Sequence, residues 1–504
     1  MNHKQPSPTR RGLLTASAVL LAAPAIVRAQ GMMGDGMMGR DRMNGRRSPG
    51  RPDTLIEGEP FRPLPVLDTA NGLSLRAMAG TTRFGTGAPT PTMGFERPYL
   101  GPTLRMRRGS TVAATVANAT NVPISTHWHG LNVPSPADGG SHHSMIAPDA
   151  TWNATLPVRQ PAATLWYHTH VHGRTAPDQW AGLAGALIVD DDDADALGLP
   201  SDPGVDDLVL ILQDKRFGSN GRAIYEPNMM DIMHGYVGDV VLANGQLAPR
   251  AAVPAGPVRL RLINAATSAR HVIAFPRPTV LIGVDQGLLP KPVEVGEVSI
   301  APGERVEVVV DMGDGGEAAV TVAASSLDGG MMRGGMMDRS GSGDSHPLIQ
   351  LVADSDRPAR GRVPERLTDD LPPLPQPTST RRFALGMGMG MGGMRGMGGM
   401  KMTINGKPFE PDRIDFTAGR GTLERWRVES RMMAHPFHAH GVKFRIPDPQ
   451  RPEETGWKDV AVVRGTRDLL VSIDAATERD IPFMFHCHIL EHEDAGMMGQ
   501  FLTG

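Results

Sequence analysis

His486-Cys487-His488-Ile489-Leu490-Glu491-His492-Glu493-Asp494-Ala495-Gly496-Met497 contains the sole cysteine of this 504-residue chain. A lone cysteine cannot form an intramolecular disulfide. Here a histidine follows it five residues later and a methionine ten residues later. Two imidazoles, a thiolate and a weak axial thioether are the donors of a blue-copper electron-transfer centre. Cys487, His492 and Met497 supply three of them. The second imidazole must come from elsewhere, and His435 in His435-Pro436-Phe437-His438-Ala439-His440-Gly441 is the evident source.

Working outward, the cysteine sits in one of four His-x-His elements. They are His127-Trp128-His129-Gly130, His168-Thr169-His170, His438-Ala439-His440 and His486-Cys487-His488. In a strand, residues i and i+2 point to the same face. Each pair therefore projects two imidazoles in one direction, spaced to serve neighbouring metal ions. In the last element, alternation turns Cys487 one way and both histidines the other. A metal on Cys487 would then communicate through a few bonds with a second cluster held by its covalent neighbours. One His-x-His is an ordinary strand feature. Four, with one straddling the only cysteine, describe a metal site.

Glycine (60) and proline (44) are abundant and aromatics make up only 5% of the chain, which favours many short strands with frequent turns. No helix-long amphipathic stretch stands out, so the expected architecture is β-sandwich-like throughout. The length suits roughly three domains of about 150 residues. A formal charge of −3 provides no basic stripe for nucleic acid. The first 29 residues hold Lys4, Arg10, Arg11 and Arg28 and no acid, so their removal leaves −7. Thr9-Arg10-Arg11-Gly12-Leu13-Leu14 places paired arginines before an apolar run over residues 13–27. That run is too short and too rich in small residues for stable membrane insertion. It ends at a small-residue cleavage site near Val27-Arg28-Ala29. The expectation is a twin-arginine signal over residues 1–29, the twin-arginine translocase as a partner, and a soluble periplasmic product.

A Gly/Met-rich linker spans residues 30–53. Strand-rich segments follow at 54–195, 205–355 and 378–504, with a stiff Pro-rich linker at 356–377 before the last. Residues 207–212 read as a buried strand. Val258-Arg259-Leu260-Arg261-Leu262-Ile263 alternates with period two and reads as half exposed. Gly/Met tracts at 331–337 and 386–402 interrupt this order, and glycine-rich chain is expensive to order.

In type and order the four histidine motifs resemble those of the multicopper oxidases, and the likeness covers nearly the whole mature chain. Gln213-Asp214-Lys215-Arg216-Phe217, Gly456-Trp457-Lys458-Asp459 and Leu490-Glu491-His492-Glu493-Asp494 look like the bacterial copper efflux oxidases in particular. The resemblance implies an all-β fold of three cupredoxin-like Greek-key sandwich domains, with a copper cluster between the first and third. It implies four copper ions. His435, Cys487, His492 and Met497 match the type 1 ligands; Met498 adjoins, but the spacing favours Met497. His127 and His438 match the type 2 ligands. His129, His168 and His488 match one type 3 ion, and His170, His440 and His486 the other. His172 receives no copper and reads as packing; the His142-His143 pair reads as loop surface.

Reducing O2 to water also consumes protons, so carboxylates must lie close to the cluster. By resemblance, Asp138 matches an acid beside the type 2 copper and Glu493 one near the type 3 pair. Each has a plainer role open to it: Asp138 as a turn residue before Gly139, Glu493 as a partner that only orients a ligand.

The electron donor is read from sulfur. Of 30 methionines, 16 lie in the Gly/Met tracts. Thioethers are soft ligands that select Cu(I), so the tract near His435 reads as a cuprous-ion collector, with Met387 and Met433 as candidate substrate ligands. Arg431 and Gly392 stand where the copper efflux oxidases place acids. The expected activity is oxidation of Cu(I) to Cu(II) in copper detoxification, coupled to four-electron reduction of O2. The alternative is a laccase-like oxidase of phenols or aromatic amines. A third reading is a non-enzymatic periplasmic scaffold or copper sponge; such a relative would be expected to lack ligands, and all twelve are present.

Overall fold

A computed structural model describes Met1 and residues 55–140, 142–327, 345–369, 371–388 and 401–504. The export signal, the first linker, the tract at 331–337, Gly392 and most of the 386–402 tract lie outside the described residues. The architecture below belongs to the compact unit Ser48–Gly504.

Alternating sequence builds the first pair of sheets. Leu73–Thr82 (LSLRAMAGTT) and Thr111–Ala119 (TVAATVANA) bury every second side chain along much of their length. They run parallel to each other and form one four-stranded sheet with Thr90–Phe95 and Thr151–Pro157. The second sheet orders Val66–Asp68, Thr103–Arg107, Ala184–Asp190 and Ala163–His168. Leu75, Val116, Leu104, Leu165 and Leu187 meet in a common core. Parallel neighbours distant in sequence are the mark of crossover connections rather than a simple meander.

The middle of the chain forms a seven-stranded and a five-stranded sheet over a Leu/Val/Ile core that includes Leu208, Leu260, Val308, Ile273 and Val322. In the last part, eight strands share one hydrogen-bonded network around Trp426, Phe437, Phe444 and Phe501. Its spine is the 18-residue strand Thr422–Ala439, which pairs with Ser379–Gly388, Val460–Ile473 and Phe483–Cys487. The register slips between Ser430 and His435. Among the described residues, no helix is long and apolar enough to cross a membrane. The fold is thus all-β, as the turn-rich composition predicts.

One strand departs from expectation. Pro257–Asn264 is not half exposed: every residue after Pro257 is buried. The alternation is real, but its polar side faces protein. Arg261 Nε lies 2.7 Å from Asp207 and Nη1 lies 3.2 Å from Glu307, which also pairs with Arg259. Thr164 of the first block donates to Glu307 at 2.6 Å. Burial and paired charge together explain why period two failed to report exposure. Asp207–Phe217 is buried along nearly all its length, as read from residues 207–212.

Candidate metal centre

The strands Thr422–Ala439 and Phe483–Cys487 run antiparallel, placing Phe437 opposite Cys487 and His438 opposite His486. Cys487 and His486 therefore face opposite ways. His435 lies an odd number of residues from His438 and reaches the sulfur side. Its Nδ1 is 3.3 Å from Cys487 Sγ. The one-turn helix Leu490–Asp494 returns His492, whose Nδ1 is 3.7 Å from the sulfur and 3.2 Å from His435 Nδ1.

The Met233 carbonyl accepts from His492 Nε2 at 3.2 Å, which leaves Nδ1 with its lone pair toward the sulfur. Burial lowers His435 to about 3 and His492 to about 4, and pushes the Cys487 thiol well up. All three are neutral without a metal, and a bound cation would draw the proton off sulfur. Met497 is fully buried in the same apolar cluster as Cys487. Two nitrogens and a sulfur in a tight triangle, with Met497 buried in the same apolar cluster, fit a copper ion.

The other eight predicted histidines gather on the opposite side, all buried. Three sets hold donor atoms within 4.8 Å: His127–His438–His440, His127–His129–His168 and His170–His440–His486. His127 stacks on His440, and His129 on His438, each at 3.8 Å between ring centroids. His488 joins His129 and His168 at 5.2 and 5.7 Å.

Outer hydrogen bonds fix which nitrogen faces inward. Nδ1 of His127 donates to the Asp138 carbonyl (3.0 Å), that of His168 to Thr169 (2.8 Å), that of His438 to Asp459 (2.8 Å) and that of His486 to Cys487 (3.0 Å). His440 Nδ1 donates to the Asp138 carboxylate at 2.8 Å. Each leaves Nε2 free to ligate. His129 is turned the other way: its Nε2 donates to Asp459 Oδ1 at 3.1 Å, so Nδ1 faces the cluster. Nε2 of His127 and of His438, and both ring nitrogens of His488, are buried without a partner. An unsatisfied buried polar atom costs about 1–3 kcal/mol. Several converging on one space fit metal ions in number and chemistry. Burial also lowers His129, His168, His438 and His440 well below the usual imidazole range, so these rings are neutral donors.

Both predicted acids touch this cluster. Asp138 ends a one-turn helix, Ser135–Asp138, and accepts from His440. Glu493 is fully buried, with Oε2 at 3.0 Å from His486 Nδ1 and Oε1 at 3.7 Å from His170 Nε2. Burial pushes Glu493 upward, but His170 and His486 overcome it and hold the carboxyl below its ordinary range. Met433 is buried in the apolar cluster with Cys487, Met387 is exposed on its strand, and Arg431 is exposed. His142 and His143 form an exposed turn, and the exposed His172 meets Phe409 edge-on.

Asp459, in Gly456-Trp457-Lys458-Asp459, carries a role that the sequence does not disclose. It is fully buried, its carboxylate grips both Arg305 Nη atoms at 2.5 and 2.7 Å, and it orients His129 and His438. No local signal announces this, because the partners of its carboxylate, Arg305 and His129, lie 154 and 330 residues away in the chain.

Family models described as multicopper oxidase match residues 77–194 and 377–504. The chain is 36% identical over 514 residues to the cell division protein FtsP of Salmonella typhimurium, covering 98% of each. It is 37% identical to FtsP of Escherichia coli, over 88% of this chain and 93% of that one. Among solved structures, the laccase-like multicopper oxidase CueO of an Ochrobactrum species superposes with a TM-score of 0.78 at 36% identity, over 88% of this chain and all of that one. A metallo-oxidase of Campylobacter jejuni gives 0.75 at 26% identity, over 90% and 97%. These matches carry the cupredoxin-like sandwich fold with them, and copper is the metal they imply for the clustered donors. The chain belongs to the multicopper oxidase family.

Proposed function

We propose that this protein is a four-copper oxidase of the periplasm, exported by the twin-arginine route, that oxidises Cu(I) to Cu(II) and reduces O2 to water. The observation that carries the reading is the pairing of two donor sets through Cys487: a His435–Cys487–His492 triangle on one side and eight buried, clustered histidines on the other. In this reading His435, Cys487, His492 and Met497 hold the type 1 ion and His127 and His438 the type 2 ion. His129, His168 and His488 hold one type 3 ion, and His170, His440 and His486 the other. Copper bound there would supply one-electron chemistry at the sulfur and four-electron reduction of O2 at the cluster. The overall balance is four Cu(I), one O2 and four protons giving four Cu(II) and two waters.

The protein's own groups do the rest. The backbone through Cys487 links the sulfur to His486 and His488 by covalent bonds. Asp138 and Glu493 hold or pass protons at His440 Nδ1 and His486 Nδ1. Exposed Met229 and Met230 support a cuprous donor, because they sit on the helix Met229–His234 that also supplies the Met233 carbonyl to His492. Met432, three residues before His435, is 79% exposed and offers a further thioether.

Oxygen uptake with Cu(I) and with a phenol, measured side by side on copper-loaded protein, tests the proposal. Deleting residues 386–400 should depress the cuprous rate; an unchanged rate defeats the cuprous reading. The laccase-like relative favours a second donor, and a sharp rise in phenol turnover after the deletion would select it. The relatives named as cell division proteins favour a role in division instead. Failure of the copper-loaded protein to show an intense blue band would select that role.

A further inference from the structure

Adjacent methionines after the last helix point to different places. Met497 enters the apolar cluster around Cys487. Met498 stands opposite His486 in the sheet and lines a cavity of about 90 Å³ with Met484 and His170. None of His435, Cys487 and His492 lines it. Its floor (His170, Met484, Met498) is buried, whereas His142, Met145 and His172 at its rim are exposed. His143 packs on His142 with ring centroids 4.0 Å apart.

Two features make this more than a crevice. The first is donor chemistry. Thioethers and imidazoles line the cavity and, among the described residues, no carboxylate does. Hard cations such as Ca²⁺ and Mg²⁺ require oxygen ligands, whereas thioether with imidazole selects Cu(I). The second is position. Gly140 forms part of the wall, and a Cβ there would meet His440 Cε1 at 2.4 Å and Asp138 Oδ2 at 2.8 Å. At this point the wall is the backbone of a glycine, whose other side lies against His440 and Asp138. His170 belongs to both: it lines the cavity and shares a donor set with His440 and His486.

We propose that this cleft is a cuprous-ion holding site that loads the histidine cluster, a role that rests on reading the cluster as a copper centre. His142, Met145 and His172 capture Cu(I) at the rim, Met484 and Met498 pass it inward, and His170 receives it. The ion exchanges ligands without changing oxidation state, so the step needs neither oxidant nor reductant.

The test follows metal loading rather than turnover. Apoprotein is given Cu(I) anaerobically from a weak chelate. Aliquots are desalted at intervals and counted for copper, and the blue band is read after oxidation with ferricyanide. The His142→Ala/Met145→Leu double variant and His172→Phe alter exposed side chains outside the proposed ligand sets. Both should fill the blue centre at the unmodified rate and take up the remaining copper at least tenfold more slowly. Equal uptake of all copper by variants and parent would overturn the holding site while leaving the copper-centre reading intact. Should the parent itself load no copper beyond the blue centre, both readings fall together. Crystals of the full chain soaked in Ag(I), a redox-inert analogue, should show anomalous density in the cleft, and a cleft without it would also overturn the proposal.

Discussion

Replacing Asp459 with alanine should damage the histidine cluster and spare the sulfur centre. Its carboxylate neutralises a wholly buried guanidinium through two contacts of 2.5 and 2.7 Å, and holds His129 in the tautomer that presents Nδ1. Removing one member of a buried ion pair costs about 3–5 kcal/mol, because the survivor is left uncompensated. Arg305 keeps three carbonyl acceptors, from Thr164, Gly303 and Asp285, and the Asp285 carboxylate at 3.9 Å. The lower end of that range, about 3 kcal/mol, is therefore expected, which raises the unfolding constant on the order of a hundredfold. His129 loses its orienting partner at the same time, and loss of such a partner typically weakens metal affinity by about 10–100-fold. Chemical denaturation of the apoprotein gives the first number, and copper per chain after dialysis against a chelator the second. The blue band should survive, since no ligand of His435–Cys487–His492 touches Asp459. An unshifted denaturation curve together with full copper retention would refute the reasoning.

Three further outcomes follow from the same contacts. Cys487→Ser should abolish the blue band and stop oxygen consumption while the apoprotein remains folded; oxygen uptake at the parent's pace would remove the basis for electron transfer through this residue. Gly139→Ala should destabilise the loop that presents Asp138, because Gly139 has φ +80° and a Cβ there would lie 1.8 Å from the Thr126 carbonyl; expected are a loss of more than about 1 kcal/mol and impaired oxygen reduction, checked by denaturation and stopped-flow reoxidation. Lys215 is buried, and its burial lowers its pKa to about 7 against an ordinary 10.5. The unfolded chain then binds more protons between those two values, so apoprotein stability should rise with pH from about 7 to 10.5, by up to about 5 kcal/mol from this group; urea unfolding across that window should show a slope that Lys215→Met flattens.

The chemistry was legible in the sequence because it is local and periodic. His-x-His on a strand puts both rings on one face wherever the strand lies, and Cys487 between two histidines cannot avoid facing the other way. What resisted reading depends on long-range neighbours. The inverted ring of His129 is set by Asp459, 330 residues away. The polar face of Pro257–Asn264 reads as solvent-facing in sequence because the acids that bury its arginines, Asp207 and Glu307, come from other strands. Met432 projects outward while Met433 packs inward, beside a slip in register that no propensity announces. The separate destinations of Met497 and Met498 follow from alternation, but the cavity that receives Met498 is a property of the assembled walls.

The slip between Ser430 and His435 has a bearing on how this protein can change length. His435 and His438 serve opposite faces of one strand, so a single inserted residue between them would put both imidazoles on one face and leave the other compartment without its ligand. An insertion on the N-terminal side of His435 can instead be absorbed where pairing is already broken, leaving the downstream spacing intact. Segments flanking the site are thus free to grow or shrink, while 435–440 and 486–497 form a ruler whose graduations are fixed by the metals they must separate.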